Sequence, residues 1–78
     1  MIMEPGAQLH DKDGNLWLYI GYKQPKKGNR QLNFQMTLPW PKGVDPYNAQ
    51  YRAVKWSTIQ NKFPDLRQYE PPEGVENA

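Results

Sequence analysis

The sequence predicts a single α+β domain, in which a three-stranded antiparallel meander packs against one C-terminal α-helix. Two patterns lead to this class. An apolar residue recurs at every second position in residues 16–24 and 30–38, and apolar residues recur at helical spacing in residues 49–63. The chain has 78 residues, which is enough for one domain.

The strands are separated by stretches of turn-forming residues. Residues 7–10 are predicted to form a short first strand, and the polar segment 11–15 follows it, where Gly14 can adopt a positive φ. The segment 24–29 has the same character and contains Gly28. Each segment predicts a hairpin, so the three strands follow one another in a meander.

The alternation divides the second and third strands into a buried face and an outward face. The residues predicted to lie inward are Leu16, Leu18, Ile20, Leu32, Phe34, Met36 and Leu38. The residues predicted to lie outward are Trp17, Tyr19, Lys23, Gln31, Asn33, Gln35 and Thr37, with Gln8 and His10 beside them. A sheet face that meets only water has little need of amides and aromatic rings. We therefore expect the outward face to bind a partner.

A helix is predicted to start at Asp45, which can cap free N–H groups, followed by Pro46 at the first helical position. It should end near Lys62 or Phe63, because Pro64 disfavours helical geometry in the preceding residue. One side of this helix would cover the sheet with Ala49, Ala53, Trp56, Ile59 and Phe63. The opposite side would carry Tyr47, Tyr51 and Val54. That cluster is either covered by the ends of the chain or is a possible partner surface.

Composition sets the expected domain limits. Residues 1–6 lack periodicity and are expected to form a flexible lead-in, and residues 7–69 the domain. Residues 70–78 contain Glu70, Glu73 and Glu76 among prolines and a glycine, and we expect a disordered acidic tail.

Several function classes are not expected. The chain has no cysteine and one histidine, which excludes disulfides and thiolate chemistry and leaves little scope for a metal site. There is no Gly-rich phosphate loop and no partner for His10 in catalysis, so we expect neither an enzyme nor a cofactor. No apolar run approaches the roughly 20 residues that span a bilayer. We expect a cytoplasmic protein without a membrane segment.

Charge favours an anionic partner. Residues 1–69 hold all ten Lys and Arg and five of the eight Asp and Glu, a net charge of +5. Four of the cations surround the second predicted turn: Lys23, Lys26, Lys27 and Arg30. Lysines on a hairpin tip can follow a phosphate backbone, although solvated turns also contain lysine.

These features predict nucleic-acid binding, with DNA preferred to RNA. Gln31, Asn33 and Gln35 would read base edges, because amides pair bidentately with adenine in the major groove. Trp17 and Tyr19 would stack on bases or wedge between them. The alternatives are a protein-binding module, such as a small phage-type inhibitor or adaptor, and a sugar-binding platform built on the two rings. The prediction of a binding face depends on exposure of Trp17 and Tyr19, and it fails if the ends of the chain cover both rings.

The order of elements resembles the amino-terminal arm-binding domain of tyrosine-type phage integrases and the related AP2 domain of plant transcription factors. Residues 11–20, a polar Gly turn and an aromatic-rich strand, are similar to the first hairpin of arm-binding domains, and residues 22–30 to their basic second turn. The third strand differs in having few Arg and Lys. The resemblance implies a sheet that lies in the major groove, and a free-standing DNA-binding module, such as an accessory protein of a phage or mobile element.

Overall fold

A computed structural model of the chain describes residues 1–24, 26–38, 40, 43, 45, 47 and 49–76. The described elements are the strands β1 Gln8–His10, β2 Leu16–Lys23, β3 Gln31–Met36 and β4 Gln50–Ala53, the helix α1 Trp56–Lys62 and a 3₁₀ helix Pro64–Gln68. The strands form one antiparallel sheet in the order β1-β2-β3-β4. The α+β class is confirmed, and the sheet has one strand more than predicted.

Both predicted hairpins form. In the β1–β2 turn the N–H of Asp11 donates to the carbonyl of Asn15 at 2.9 Å, and the N–H of Gly14 to the carbonyl of Asp11 at 3.0 Å. Gly14 has a φ of 87°, in the left-handed region that glycine adopts without strain. Turn chemistry alone was sufficient to locate these two connections.

The predicted helix over residues 45–63 is wrong in its first half. Residues 50–53 form β4, in which Tyr51 lies opposite Phe34 on β3. Asp45 does accept the N–H of Tyr47 at 2.9 Å, the predicted cap contact, but Pro46 lies outside the described residues. The physical reason for β4 is the free edge of β3, whose N–H and C=O groups would lack partners without it.

The second half of the predicted helix is confirmed. α1 ends at Lys62, and Phe63 before Pro64 has the non-helical angles φ −120° and ψ 87°. Trp56, Ile59 and Phe63 are buried on the sheet, where the rings of Phe63 and Phe34 stack at a centroid distance of 4.7 Å. The inward face of β3 is also as predicted, with Leu32, Phe34 and Met36 buried, whereas Leu38 lies beyond the strand and is exposed.

The two ends of the described chain also pack against the core. Met3 is buried, and Ile2 forms a parallel bridge with Glu70. Near the other end Val75 is 8% exposed. Backbone N–H groups bind that segment: Arg30 donates to Gly74 at 3.0 Å and Trp56 to Glu76 at 2.7 Å. The predicted disordered acidic tail is therefore not confirmed over residues 70–76, and residues 77–78 lie outside the described chain.

The described helices are short. The longest has seven residues, and none combines the length and the apolar character needed to cross a membrane.

Packing of the tail predicts that Val75→Ala destabilises the protein. The change removes two buried methyl groups, so the free energy of unfolding should fall by about 1.5 kcal/mol. Urea unfolding measures this, with Glu73→Ala as the control, because Glu73 is exposed on the same segment. Equal stability of the two variants would contradict a packed tail.

Candidate nucleic-acid interface

The side chains of β2 face the opposite way from the prediction. Trp17 and Tyr19, predicted to lie outward, are 5% and 1% exposed on the helix side of the sheet. Leu16 and Leu18 are half-buried on the other side, and Ile20 is 43% exposed. Because side chains alternate along a strand, a single reversed position reverses them all.

The carboxylate of Asp11 accounts for the orientation of Trp17. Its Oδ2 accepts the indole N–H of Trp17 at 2.9 Å and the side-chain amide of Asn15 at 3.2 Å. Its Oδ1 accepts the backbone N–H groups of Asp13 and Asn15, each at 2.9 Å. A buried indole needs an acceptor, and Asp11 supplies one at the rim of the core.

The same contacts affect the acidity of Asp11. Burial alone would raise the pKa of this carboxyl, but the hydrogen bonds from Trp17, Asn15 and Asp13 outweigh it, so the pKa is lowered from its ordinary value of 3.8. The residue is therefore ionised at neutral pH, and its charge is compensated by four N–H donors.

Trp17 and Tyr19 are surrounded by the core. The Trp17 ring meets Phe63 edge-on at 5.4 Å, and the Lys62 ammonium lies 5.2 Å from its centroid. Tyr19 packs against Phe34 at 5.3 Å, and burial raises the pKa of its phenol to about 12. The predicted exposure of Trp17 and Tyr19 is therefore wrong, so the inference of a binding face that rested on these two rings fails, and neither ring is available to stack on bases.

A register shift at Ile20 returns the side chains at the end of β2 to the orientation predicted for them. Tyr19 lies opposite Phe34, but Gly21 lies opposite Asn33, so Ile20 is one residue too many on β2. Gly21 has a φ of 125°, which favours glycine at this position. Beyond the shift, Lys23 shares the uncovered side of the sheet with Gln31.

The outer face is the side of the sheet opposite α1. It carries the amides Gln8, Gln31, Asn33, Gln35 and Gln50, the apolar side chains Leu16, Leu18 and Ile20, the cations Lys23 and Arg52, and His10, which lies opposite Leu16 and is bound to the Asp65 carboxylate. None of these residues is buried. Neither Asp nor Glu occurs in any of the four strands. The predicted amides thus share a surface with aliphatic side chains in place of aromatic ones.

One row of the outer face crosses all four strands. Gln8 lies opposite Leu18, Leu18 opposite Gln35, and Gln35 opposite Gln50. Neighbouring strands are about 4.8 Å apart, so the row sets one leucine between amides over about 14 Å. Gln50 and Arg52 are missing from the prediction. Their alternation with Ala49, Tyr51 and Ala53 is the signal that could have placed them on a strand.

Asn33 has unused hydrogen-bonding capacity. Its Oδ1 is buried and has no partner among the described residues, while its Nδ2 donates to the Gln31 carbonyl at the long distance of 3.5 Å. An unpaired buried acceptor costs about 1–3 kcal/mol.

The β2–β3 hairpin carries four cations, three of which are exposed and one of which contacts other groups. They are Lys23, Lys26, Lys27 and Arg30. The three lysines are exposed. The Arg30 guanidinium lies 4.5 Å from the centroid of Tyr22, and its Nη1 donates to the Glu73 carbonyl at 3.3 Å. Lys26 and Lys27 are therefore the exposed cations at the hairpin tip.

The predicted partner surface on a helix does not form. Tyr47 is 92% exposed, whereas Tyr51 is half-buried on β4 with its ring 5.8 Å from that of Phe63. Val54 is half-buried just beyond β4. The three side chains do not share a helix, because the helix that would align them does not extend to these residues.

Two other kinds of site, a metal cluster and a cavity, do not contribute to the outer face. Within the described ranges, no three His, Asp or Glu side chains are grouped to hold a metal ion. An open cavity of about 530 Å³ is lined by Met1, Ile2, Glu4, Pro5, Ala7 and Tyr69, and none of these residues belongs to the outer face.

The sequence matches no known protein family, and no curated protein and no solved structure matches the chain. The residues of the outer face and of the neighbouring hairpin are therefore the basis on which a function can be proposed.

The Asp11 contacts predict a pH-dependent loss of stability in Asp11→Ala. At pH 7 the free energy of unfolding should fall by about 1.5–3 kcal/mol, because Trp17 and Asn15 lose a charged acceptor. The pKa is lowered on folding, so Asp11 stabilises the protein fully above pH 3.8 and loses this effect as the pH falls through the folded pKa. The difference between wild type and variant should therefore shrink below pH 3.8.

Thermal or urea unfolding at pH 7 and at low pH measures this difference. Asp13→Ala is the matched control, because it removes the same charge from the same turn and its carboxylate is exposed. A loss in Asp11→Ala that equals the control at pH 7 would contradict the role of the carboxylate.

Proposed function

We propose that this protein binds nucleic acid, with DNA preferred to RNA, through the outer face of its sheet and the tip of the β2–β3 hairpin. The observation that carries the proposal is the composition of the outer face: five amides and two cations, with no carboxylate in any strand. Such a surface can approach a polyanion without charge repulsion.

The distribution of charge supports this proposal. All described acidic residues lie in turns, in the 3₁₀ helix or near the ends of the chain. The acidic C-terminal segment packs into the core through Val75, and its residues Glu73 and Gly74 lie against Arg30 of the β2–β3 hairpin. Lys23 and Arg52 lie on the outer face itself, and Lys26 and Lys27 extend from the adjoining hairpin.

The roles follow from donor and acceptor chemistry. Lys26 and Lys27 would contact phosphates, which position the protein without reading sequence. Gln31, Asn33 and Gln35 would contact base edges, where an amide offers one donor and one acceptor. Arg30 would support the hairpin, because its guanidinium already contacts Tyr22 and Glu73.

A protein-binding module is the second candidate. The observation that favours it is the apolar strip of Leu16, Leu18 and Ile20 along the outer face. An apolar contact of this kind would depend little on salt, whereas phosphate contacts release counterions and depend on it strongly.

The test is titration of a labelled DNA duplex at two salt concentrations. We expect affinity to fall as salt rises, and the double variant Lys26→Glu/Lys27→Glu to bind more weakly with a salt slope reduced by about one for each lysine. The matched control is Lys12→Glu/Arg67→Glu. It changes the net charge equally, but Lys12 lies in the β1–β2 turn at the other end of β2, and Arg67 in the 3₁₀ helix.

Three outcomes would contradict the proposal. They are absence of binding at low salt, binding that is indifferent to salt, and equal weakening by the two double variants. The first outcome would leave the protein-binding module as the remaining candidate.

A further inference from the structure

We propose that the outer face reads A·T base pairs in the major groove of double-stranded DNA. This inference rests on the proposed function and specifies its ligand. Three observations carry it: the outer face lacks the rings that single strands require, its amides flank aliphatic side chains, and Asn33 holds an unpaired acceptor.

The first observation concerns single strands. Proteins that bind unpaired bases stack them on aromatic side chains. The described residues of the outer face include no Phe, Tyr or Trp, because Trp17 and Tyr19 lie in the core. His10, at the edge of the sheet, is bound to the Asp65 carboxylate at 3.2 Å. A duplex, which offers edges and methyl groups instead of ring faces, matches this surface better.

The second observation concerns the base pair. An A·T pair presents the N7 acceptor and N6 donor of adenine beside the C5 methyl group of thymine. The outer face presents the complementary groups, because Leu18 lies directly between Gln8 and Gln35. Ile20, 43% exposed, adds a second aliphatic contact farther along the strand. Amides would pair with adenine, and the aliphatic side chains would contact thymine methyl groups.

The third observation concerns Asn33. Its buried Oδ1 lacks a donor, and the N6 amino group of adenine is a donor that the major groove provides. Asn33 lies opposite Gly21 on β2, and nothing lies within 4 Å of the position that a Cβ on Gly21 would occupy. Because Oδ1 is inaccessible in this structure, pairing with adenine requires the Asn33 amide to turn into the space that Gly21 leaves open.

The composition of the outer face argues against G·C pairs. Cytosine N4 needs an acceptor such as a carboxylate, and the four strands contain none. Guanine is read by Arg or Lys, and the two cations of the outer face lie outside the row that contains Leu18, Lys23 opposite Gln31 and Arg52 opposite Asn33. We assign these two cations to phosphates.

A groove in RNA is a poor match as well. The major groove of A-form RNA is deep and narrow, and side chains on a sheet cannot read it. The same argument makes duplex RNA a useful competitor, because it carries the same phosphate charge as duplex DNA.

The experiment compares ligands of one length at one salt concentration, all with the wild-type protein. They are an A·T-rich duplex, a G·C-rich duplex, a single strand, a duplex RNA, and two modified A·T-rich duplexes. One modified duplex has uracil for thymine, which removes the methyl group, and the other has 7-deazaadenine, which removes the N7 acceptor.

We expect the A·T-rich duplex to bind about tenfold or more tightly than the G·C-rich duplex, the single strand and the duplex RNA. Uracil should weaken binding about three- to fivefold for each methyl group in contact. The 7-deazaadenine duplex should also bind more weakly. In Leu18→Ala, the difference between the thymine and uracil duplexes should shrink, because only the Ile20 contact with a methyl group remains. Leu18 is half-buried outside the core, and circular dichroism checks the fold of the variant.

The outcomes separate this inference from the proposed function. Salt-dependent binding with equal affinity for A·T, G·C and modified duplexes would overturn base reading and leave nucleic-acid binding standing. Tighter binding to the single strand or to duplex RNA would overturn the assignment to duplex DNA. Absence of binding to every ligand would overturn both. Because the modified duplexes are tested with the wild-type chain, none of these results depends on how a variant folds.

Discussion

The hydrogen bond between the Asp11 carboxylate and the Trp17 indole determines which side of β2 faces the core. It joins a turn residue to a strand residue six positions later, at 2.9 Å. With Trp17 fixed inward, alternation places Tyr19 inward, and Leu16 and Leu18 outward. The cost of burying a carboxylate is offset by its four N–H donors, so the turn and the core stabilise each other.

This orientation decides the chemistry of the uncovered side of the sheet. The rings that would stack on bases form the core instead, where Trp17 contacts Phe63 and Tyr19 contacts Phe34. The surface that remains combines amides with Leu18 and Ile20. The same bond that stabilises the fold therefore places both rings in the core and leaves amides and aliphatic side chains on the uncovered side of the sheet.

A local sequence pattern was sufficient to predict which side chains are buried where only one structure is compatible with that pattern. In β3, amides separate Leu32, Phe34 and Met36, so a single face is apolar and the burial follows. In β2, residues 16–20 are apolar or aromatic at every position, and periodicity cannot choose a face. The larger area of the rings and the acceptor at Asp11 decide it, and both are tertiary effects.

Other elements were ambiguous in the sequence because tertiary contacts, and not the local pattern, decide their structure. Ala49 and Ala53 are four residues apart, a spacing that fits one face of a helix or of a strand, and the unpaired edge of β3 selected the strand. Composition suggested a loose tail, but Val75 fills a site in the core. The amides predicted on β3 lie on the uncovered face of the sheet. Their neighbours Gln50 and Arg52 reach that face only because residues 50–53 form β4, and the prediction of a helix over these residues left them out.

The most direct measurement is the alkylation rate of a Leu18→Cys variant, free and with saturating A·T-rich duplex DNA. The chain has no cysteine of its own, so the introduced thiol is the only one that reacts. We expect rapid alkylation of the thiol in the free protein and marked protection of the thiol by the bound duplex. Slow alkylation of the free folded protein would contradict the orientation of β2, and an unchanged rate with bound duplex would contradict the outer face as the binding site.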